Sequence, residues 1–465
     1  MTIKSPPASF ETSAEVVIIG AGAAGLCAAL SASEAGAEVL VIERDPVPRG
    51  STALSAGLIP AAATRFQRSL GISDSPGLFA RDIQAKSHGE ANEAIVQLVA
   101  REAGPAIEWL ADDYGLPFSV VHDFDYPGHG ARRMHGLPSR TGAELIDHLR
   151  AAVERTSTTL LTQATVAALF VDDSRRVTGV EIVRPDGARE AIGCRALVLA
   201  CNGYGGNPDL VARHIPAMKG ALYFGHPGNR GDAVTWGQEL GARLAHLSGY
   251  QGHGSVAHPH GVLITWATIM EGGFQVDASG ARFCDESRGY SEQAEDVIAR
   301  PDGLAWTIFD ERIAGVARQF EDFRQAEAAG AIIAAETIEA LSQRLSLPVE
   351  AVAATFAEVE ALKRGGGVDR FGRDFSGRPA LTAPFRGVKV TGALFHTQGG
   401  LVVDEEARVI WDGGGRAPNL HAAGGAAAGV SGSSAAGYLS GNGLLTATTL
   451  GRIAGRTAAR VASPA

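Results

Sequence analysis

The first unbroken apolar run, Val16-Val17-Ile18-Ile19, leads into Gly20-Ala21-Gly22-Ala23-Ala24-Gly25 and an alanine-rich stretch. A short β-branched run bounded by glycine predicts a strand buried on both faces. The alanine-rich stretch predicts a helix from about Ala24 to Glu34, ended by Gly36. Glu38–Glu43 reads as a second strand, which closes one compact βαβ unit. Helical periodicity recurs through roughly Ala94–Tyr114 and Thr141–Arg155, and Leu160–Val183 reads as short strands around a hairpin at Asp172–Arg176. Ala196–Cys201 is a third buried strand, closing on Asn202-Gly203-Tyr204-Gly205-Gly206. From about His253 to Phe385 the pattern shifts to charged helices such as Ile338–Gly365, and residues 386–465 return to Gly/Ala-rich β-α character. The order predicts an α/β protein: a discontinuous Rossmann-like domain over 14–252 and 386–465, an inserted second domain over 253–385, and a flexible tail at 1–13.

Composition narrows the class. A chain of 465 residues exceeds one small core, and 45% hydrophobic with 20% charged residues is ordinary for a soluble enzyme. The net charge of −10, with no long basic tract, argues against a nucleic-acid partner. Cys27, Cys194, Cys201 and Cys284 stand alone, so neither a metal nor a disulfide is expected and a reducing cytoplasm is. No run reaches the roughly 18 apolar residues of a membrane span. Met1–Ser13 lacks the basic start and apolar stretch of a secretion signal.

The glycine turn follows a strand, opens a helix and precedes an acid, Glu43, at the end of the next strand. That context fits a dinucleotide: Gly20 permits the tight turn, Gly22 admits a pyrophosphate to the backbone, and Gly25 lets helix and strand pack closely. Ala23 and Ala24 stand at the positive helix end, and Glu43 would accept from adenosine ribose hydroxyls. Three further segments imply a ligand longer than one nucleotide-binding half. They are the small-residue loop from Arg44 through Ser51, Thr52, Ser55, Ala56 and Gly57, the turn at Ala200 and Gly203, and the Gly/Ala segment at Gly424 and Gly425. Together they favour FAD.

With these segments placed, the chain resembles the fumarate reductase/succinate dehydrogenase flavoprotein family, including its ketosteroid dehydrogenases. The resemblance runs from Glu15 to about Arg460 through the glycine turn, Ser51-Thr52-Ala53, Arg140-Thr141-Gly142, Val166, Gly231-Asp232, Gly280–Glu286, His396–Leu401 and Gly451–Gly455. It implies an inserted α+β capping domain with the active site between the domains. It also places Val166 at the adenine, Asp232 on the flavin side, and Gly441, Gly443 and Leu444 at the cofactor. Membrane-bound relatives attach the flavin to a histidine after the second loop; none lies between Gly50 and Ala61, so FAD is expected to be held non-covalently.

The implied reaction interconverts CH–CH and C=C beside an activating carbonyl or carboxylate. Position by position, the resemblance puts substrate-binding histidines at His253 and His396, a threonine at Thr265 and a proton-donor arginine at Arg288. The relay partners of fumarate reductases are replaced by Trp266 and Ile269, and the C-terminal clamping arginine by Tyr438. Without that guanidinium fork a second carboxylate loses its bidentate partner. Tyr438-Leu439-Ser440-Gly441 looks instead like the ketosteroid dehydrogenases, in which a tyrosine polarises a ketone and a second tyrosine or similar base takes the α-proton. Tyr126 is the candidate base, with Tyr250 and Tyr290 as competitors, and Arg132-Arg133-Met134-His135 is a candidate grip for a distant carboxylate. The expected activity is desaturation of a cyclic or steroid-like ketone, a keto acid among them, with an external electron acceptor. The alternative is a soluble reductase of an unsaturated acid, fed by an outside donor.

Overall fold

The computed structural model describes residues 2–122 and 125–463. The chain forms two compact units: residues 1–215, 225–250 and 396–465, and residues 216–224 with 251–395.

Among the described residues, the first unit is built on a nine-stranded sheet. At its centre the strands Val39–Ile42, Thr12–Ile19, Arg189–Leu199 and Arg416–Ala422 run parallel. Their partners align Ile42 with Ile19, Ile19 with Leu199, and Leu199 with Ala422, so four carboxyl ends finish on one level. Val16, Val17, Ile18, Leu197, Val198 and Val41 are fully buried, as continuous apolar strands in a sheet covered on both faces require. The third strand is longer than its apolar core suggests: Arg189–Gly193 pairs antiparallel with Gly179–Val183, and only Leu197–Leu199 pairs with Leu420–Ala422. Ala200 and Cys201 lie beyond it, in the turn.

The helix Ala23–Glu34 packs against the long C-terminal helix Asn442–Ala462 and is buried over most of its surface, which its small side chains allow. The N-terminal residues, expected as a loose tail, are instead held. Ile3–Lys4 pairs with Leu169–Phe170, and Thr2 donates to Glu239. A small antiparallel sheet of Ile59–Pro60, Met134–Gly136 and Ser119–Val120 gives no clear alternation in the sequence.

In the second unit the strand Phe385–Thr397 is the hub of a sheet that holds seven strands among the described residues. Leu304–Asp310 and Ile332–Ala335 pair with it antiparallel, and Leu222–Tyr223 pairs parallel with Ala393–Leu394. That last pairing draws residues 216–224 into this unit, well outside the expected 253–385 segment. Phe274, Ile308, Phe309, Phe323 and Val388 form its core. Arg282 and Arg373 are buried beside it with Glu286 and Asp369, each charge facing an opposite one.

Candidate active site

Each of the four aligned strands in the first unit runs directly into a segment singled out by sequence. Gly20 follows Ile19, Glu43 follows Ile42, Ala200 follows Leu199, and Ala423-Gly424-Gly425 follows Ala422. The carboxyl edge of a parallel sheet is where such folds bind ligands.

The glycine turn leaves no room for side chains. Gly20 sits at φ 102°, and a Cβ on Gly25 would lie 1.8 Å from the Gly20 carbonyl oxygen. Beside Gly22, by contrast, a Cβ would meet only the Thr52 hydroxyl, at 3.5 Å. Gly22 caps the helix without a side-chain hydrogen bond, and the Ala23 amide donates to Thr52 Oγ1 at 3.0 Å. Gly22 thus leaves room beside the first turn of the helix, as a pyrophosphate site requires. Glu43 does more than await a ribose. Its two oxygens accept from the Ala21 and Asp45 amides, at 2.8 and 3.0 Å, and staple the turn to the next loop. A carboxylate so bound keeps acceptor capacity for hydroxyls.

Ser51–Gly57 is held from two sides, and its first residues form a short helix, Gly50–Ala53. The Gly142 amide donates to Ser55 O at 2.7 Å, which explains the Arg140-Thr141-Gly142 motif. Ser51 Oγ accepts from the His226 amide and Asn229 Nδ2, at 3.1 and 2.8 Å. Neither His226 nor Asn229 was legible in the sequence, because both come from a distant loop. Asp232, expected on the flavin side, pairs with Arg44, one residue from Glu43, at 3.2 Å; burial raises its pKa against the pull of that guanidinium. Residues 161–164 run beside Glu43, with Ala164 N donating to Glu43 O at 2.9 Å, and Val166 follows two residues on.

The C-terminal helix opens at Asn442 after Gly441, again without a side-chain cap. Asn442 is fully buried, yet among the described residues its Oδ1 has no protein partner. A second uncapped helix end and a buried, unmet acceptor, beside the Gly424-Gly425 turn, suit the polar edge of a long flavin nucleotide. The residues present fit FAD.

At this helix end the His396 and Tyr438 rings meet edge to face, with centroids 5.5 Å apart. Both are buried or nearly so, and burial holds the His396 pKa down at about 4, leaving the imidazole neutral at pH 7. Tyr126 packs against Leu58, Val121 and Met134 and lines a pocket of about 240 Å³ with His129 and Arg132. Its loop touches the Tyr438 segment, since His129 Nε2 donates to Ser440 O at 3.0 Å. The expected carboxylate grip is corrected by the structure. Arg133 is wholly buried, held by Asp74 on two nitrogens and by Asp82 at 2.5 Å, and His135 bonds Thr64 and the Arg133 carbonyl. These groups build the loop and are not open to a substrate.

In the second unit His253 lies between Tyr290 and Phe395, both stacked within 25° of its plane, with Trp266 edge-on. Burial lowers its pKa to about 3, so it too is a neutral hydrogen-bonding group. Thr265 is buried nearby in sequence, and its hydroxyl accepts from the Ala267 amide. Arg288 is half exposed and pairs with Asp296 at 2.5 Å. Tyr250 is buried in the strand Tyr250–Ala257.

A doubly gripped small-residue loop, a glycine turn stapled by an acid and two uncapped helix ends define a flavin nucleotide-binding protein. The chain belongs to the FAD binding domain family, which matches residues 15–444. It is 28% identical over 451 residues to the probable fumarate reductase Ifc3 of Shewanella frigidimarina (strain NCIMB 400), covering 96% of this chain and 75% of that protein. Its fold matches the open conformation of a flavocytochrome c3 fumarate reductase with a TM-score of 0.84 at 26% identity, over 98% of this chain and 79% of that one. It also matches the 3-ketosteroid-Δ4-(5α)-dehydrogenase of Rhodococcus jostii RHA1, bound to 4-androstene-3,17-dione, with a TM-score of 0.76 at 25% identity over 99% and 100%. The protein is an FAD-dependent oxidoreductase acting on CH–CH bonds. Among the described residues, no helix is long and apolar enough to cross a membrane.

Proposed function

We propose that the protein desaturates a cyclic or steroid-like ketone, with FAD held non-covalently, and passes the electrons to an external acceptor in the cytoplasm. The pairing of Tyr438 with neutral His396 at an uncapped helix end carries this reading. When bound, the flavin supplies the hydride acceptor. Tyr438 Oη and a ring N–H of His396 donate to the ketone oxygen and stabilise the charge that develops as the α-proton leaves. Tyr126, on the loop tied to Ser440, takes that proton. No arginine occurs between Val430 and Gly451 to bind a second carboxylate. An exposed pair such as Arg132–Asp125 is a poor replacement, because both groups are already partnered in water.

The reductase relatives favour a second reading, reduction of an unsaturated acid. One assay separates the two. Oxidised enzyme with 4-androstene-3,17-dione or a cyclohexanone should bleach a dye acceptor. Oxidation of a reduced dye by fumarate, with no turnover of ketones, would establish the second reading instead.

A further inference from the structure

His396 Nδ1 faces two opposed neighbours. Gln398 Nε2 stands 2.9 Å away and the Thr397 carbonyl oxygen 3.4 Å away. The first calls for a bare Nδ1, the second for a protonated one. Distance favours the amide, since 3.4 Å is beyond a good N–H···O bond. The amide is itself oriented. Its Oε1 accepts from Ser431 Oγ at 2.7 Å, and that hydroxyl, its proton so used, accepts from Asn442 Nδ2 at 3.1 Å. The backbone on either side is fixed as well: Gln398 N donates to Gly249 O and Gly429 N to Gln398 O, both at 2.8 Å.

We propose that Gln398 is a positioning residue: through the Asn442–Ser431–Gln398 chain it keeps Nδ1 of His396 unprotonated and so fixes the Nε2–H tautomer. This deepens the ketone reading above and rests on it. Nε2 is the nitrogen turned toward Gly443, where an added Cβ would lie 2.8 Å from it. The tautomer thus sets a neutral N–H donor over the start of the C-terminal helix, where that helix's positive end opposes an imidazolium. With the other tautomer Nε2 would be an acceptor and would repel a ketone oxygen. Deleting a tautomer's partner is costly because the ring then turns its lone pair toward the reacting group.

The test uses the FAD-loaded enzyme with a saturated 3-ketosteroid or a cyclohexanone and a dye acceptor. Gln398→Glu replaces the amide donor with an acceptor that demands Nδ1–H. Its turnover should fall roughly 10²-fold at neutral pH, the scale of one lost oxyanion donor. It should then recover as pH falls and the imidazolium regains Nε2–H. Gln398→Met, which offers no carboxylate to favour the imidazolium, should lose turnover without recovering at mildly acid pH. The ¹⁵N shifts of His396 in the wild-type holoprotein should show Nδ1 as the unprotonated nitrogen, and in Gln398→Glu the reverse. An unprotonated Nε2 in the wild type, or a pH-independent loss in Gln398→Glu, overturns the proposal. If the wild type turns over no ketone, the ketone reading fails; a wild type and Gln398→Glu that both turn over ketone with the same pH profile sink the tautomer claim alone.

Discussion

The sequence resemblance puts Tyr438 in place of a carboxylate-clamping arginine, and such an exchange of one side chain would alter what the site can hold. A phenol gives a single neutral donor, suited to a ketone oxygen, whereas a guanidinium gives a charged fork. Tyr438→Phe should therefore lower kcat about 10²-fold with little change in KM, because the bond strengthens only as charge develops. An unchanged kcat in steady-state assays would remove Tyr438 from the chemistry. In the glycine turn, Gly25→Ala puts a methyl 1.8 Å from the Gly20 carbonyl oxygen. That variant should purify with far less FAD per chain by absorbance, and full occupancy would show that the turn tolerates the shift. Residues such as Glu43 and Gly25 were legible in the sequence because their role is set within a few positions. Gln398 was in view as part of the His396–Leu401 motif, but its partner Ser431 lies 33 residues away, and no local pattern reveals that pairing.

Among elements, the strands and helices of the βαβ unit were legible because apolar runs and alanine-rich segments set their own limits. The helix Glu93–Asp112 likewise lies within about two residues of its expectation. The strand Phe385–Thr397 was not, because its partners lie far apart in sequence and its neighbours differ at each end. The loop carrying Tyr126 was misread for a related reason. Arg132 and Arg133 look alike in sequence, yet Arg132 is exposed and Arg133 is the buried post on which the loop stands. Arg133→Met leaves two carboxylates facing a buried space without a cation. It should destabilise the fold by about 3–5 kcal/mol, read as a lowered denaturant midpoint. A loss below about 1 kcal/mol would mean that water reaches the pair.

At the scale of the whole molecule, burial keeps several histidines neutral. It lowers His129, His135, His396 and His421 to about 4, and His253 to about 3, from an ordinary 6.5. Above pH 6.5 both folded and unfolded chains carry these rings neutral, so stability is complete there. Below it the unfolded chain binds protons that the folded chain refuses, and stability is lost progressively down to about pH 4. Tm should accordingly drop between pH 7 and pH 5; an unchanged Tm over that span would mean the rings are open to water.

The central claim, that Tyr438 and His396 ready a ketone for desaturation, is tested most directly by single-turnover mixing without oxygen. Oxidised enzyme mixed with 4-androstene-3,17-dione or a cyclohexanone should lose its flavin absorbance, and Tyr438→Phe should do so about 10²-fold more slowly. No bleaching by any ketone, together with rapid reoxidation of the reduced enzyme by fumarate, would contradict it.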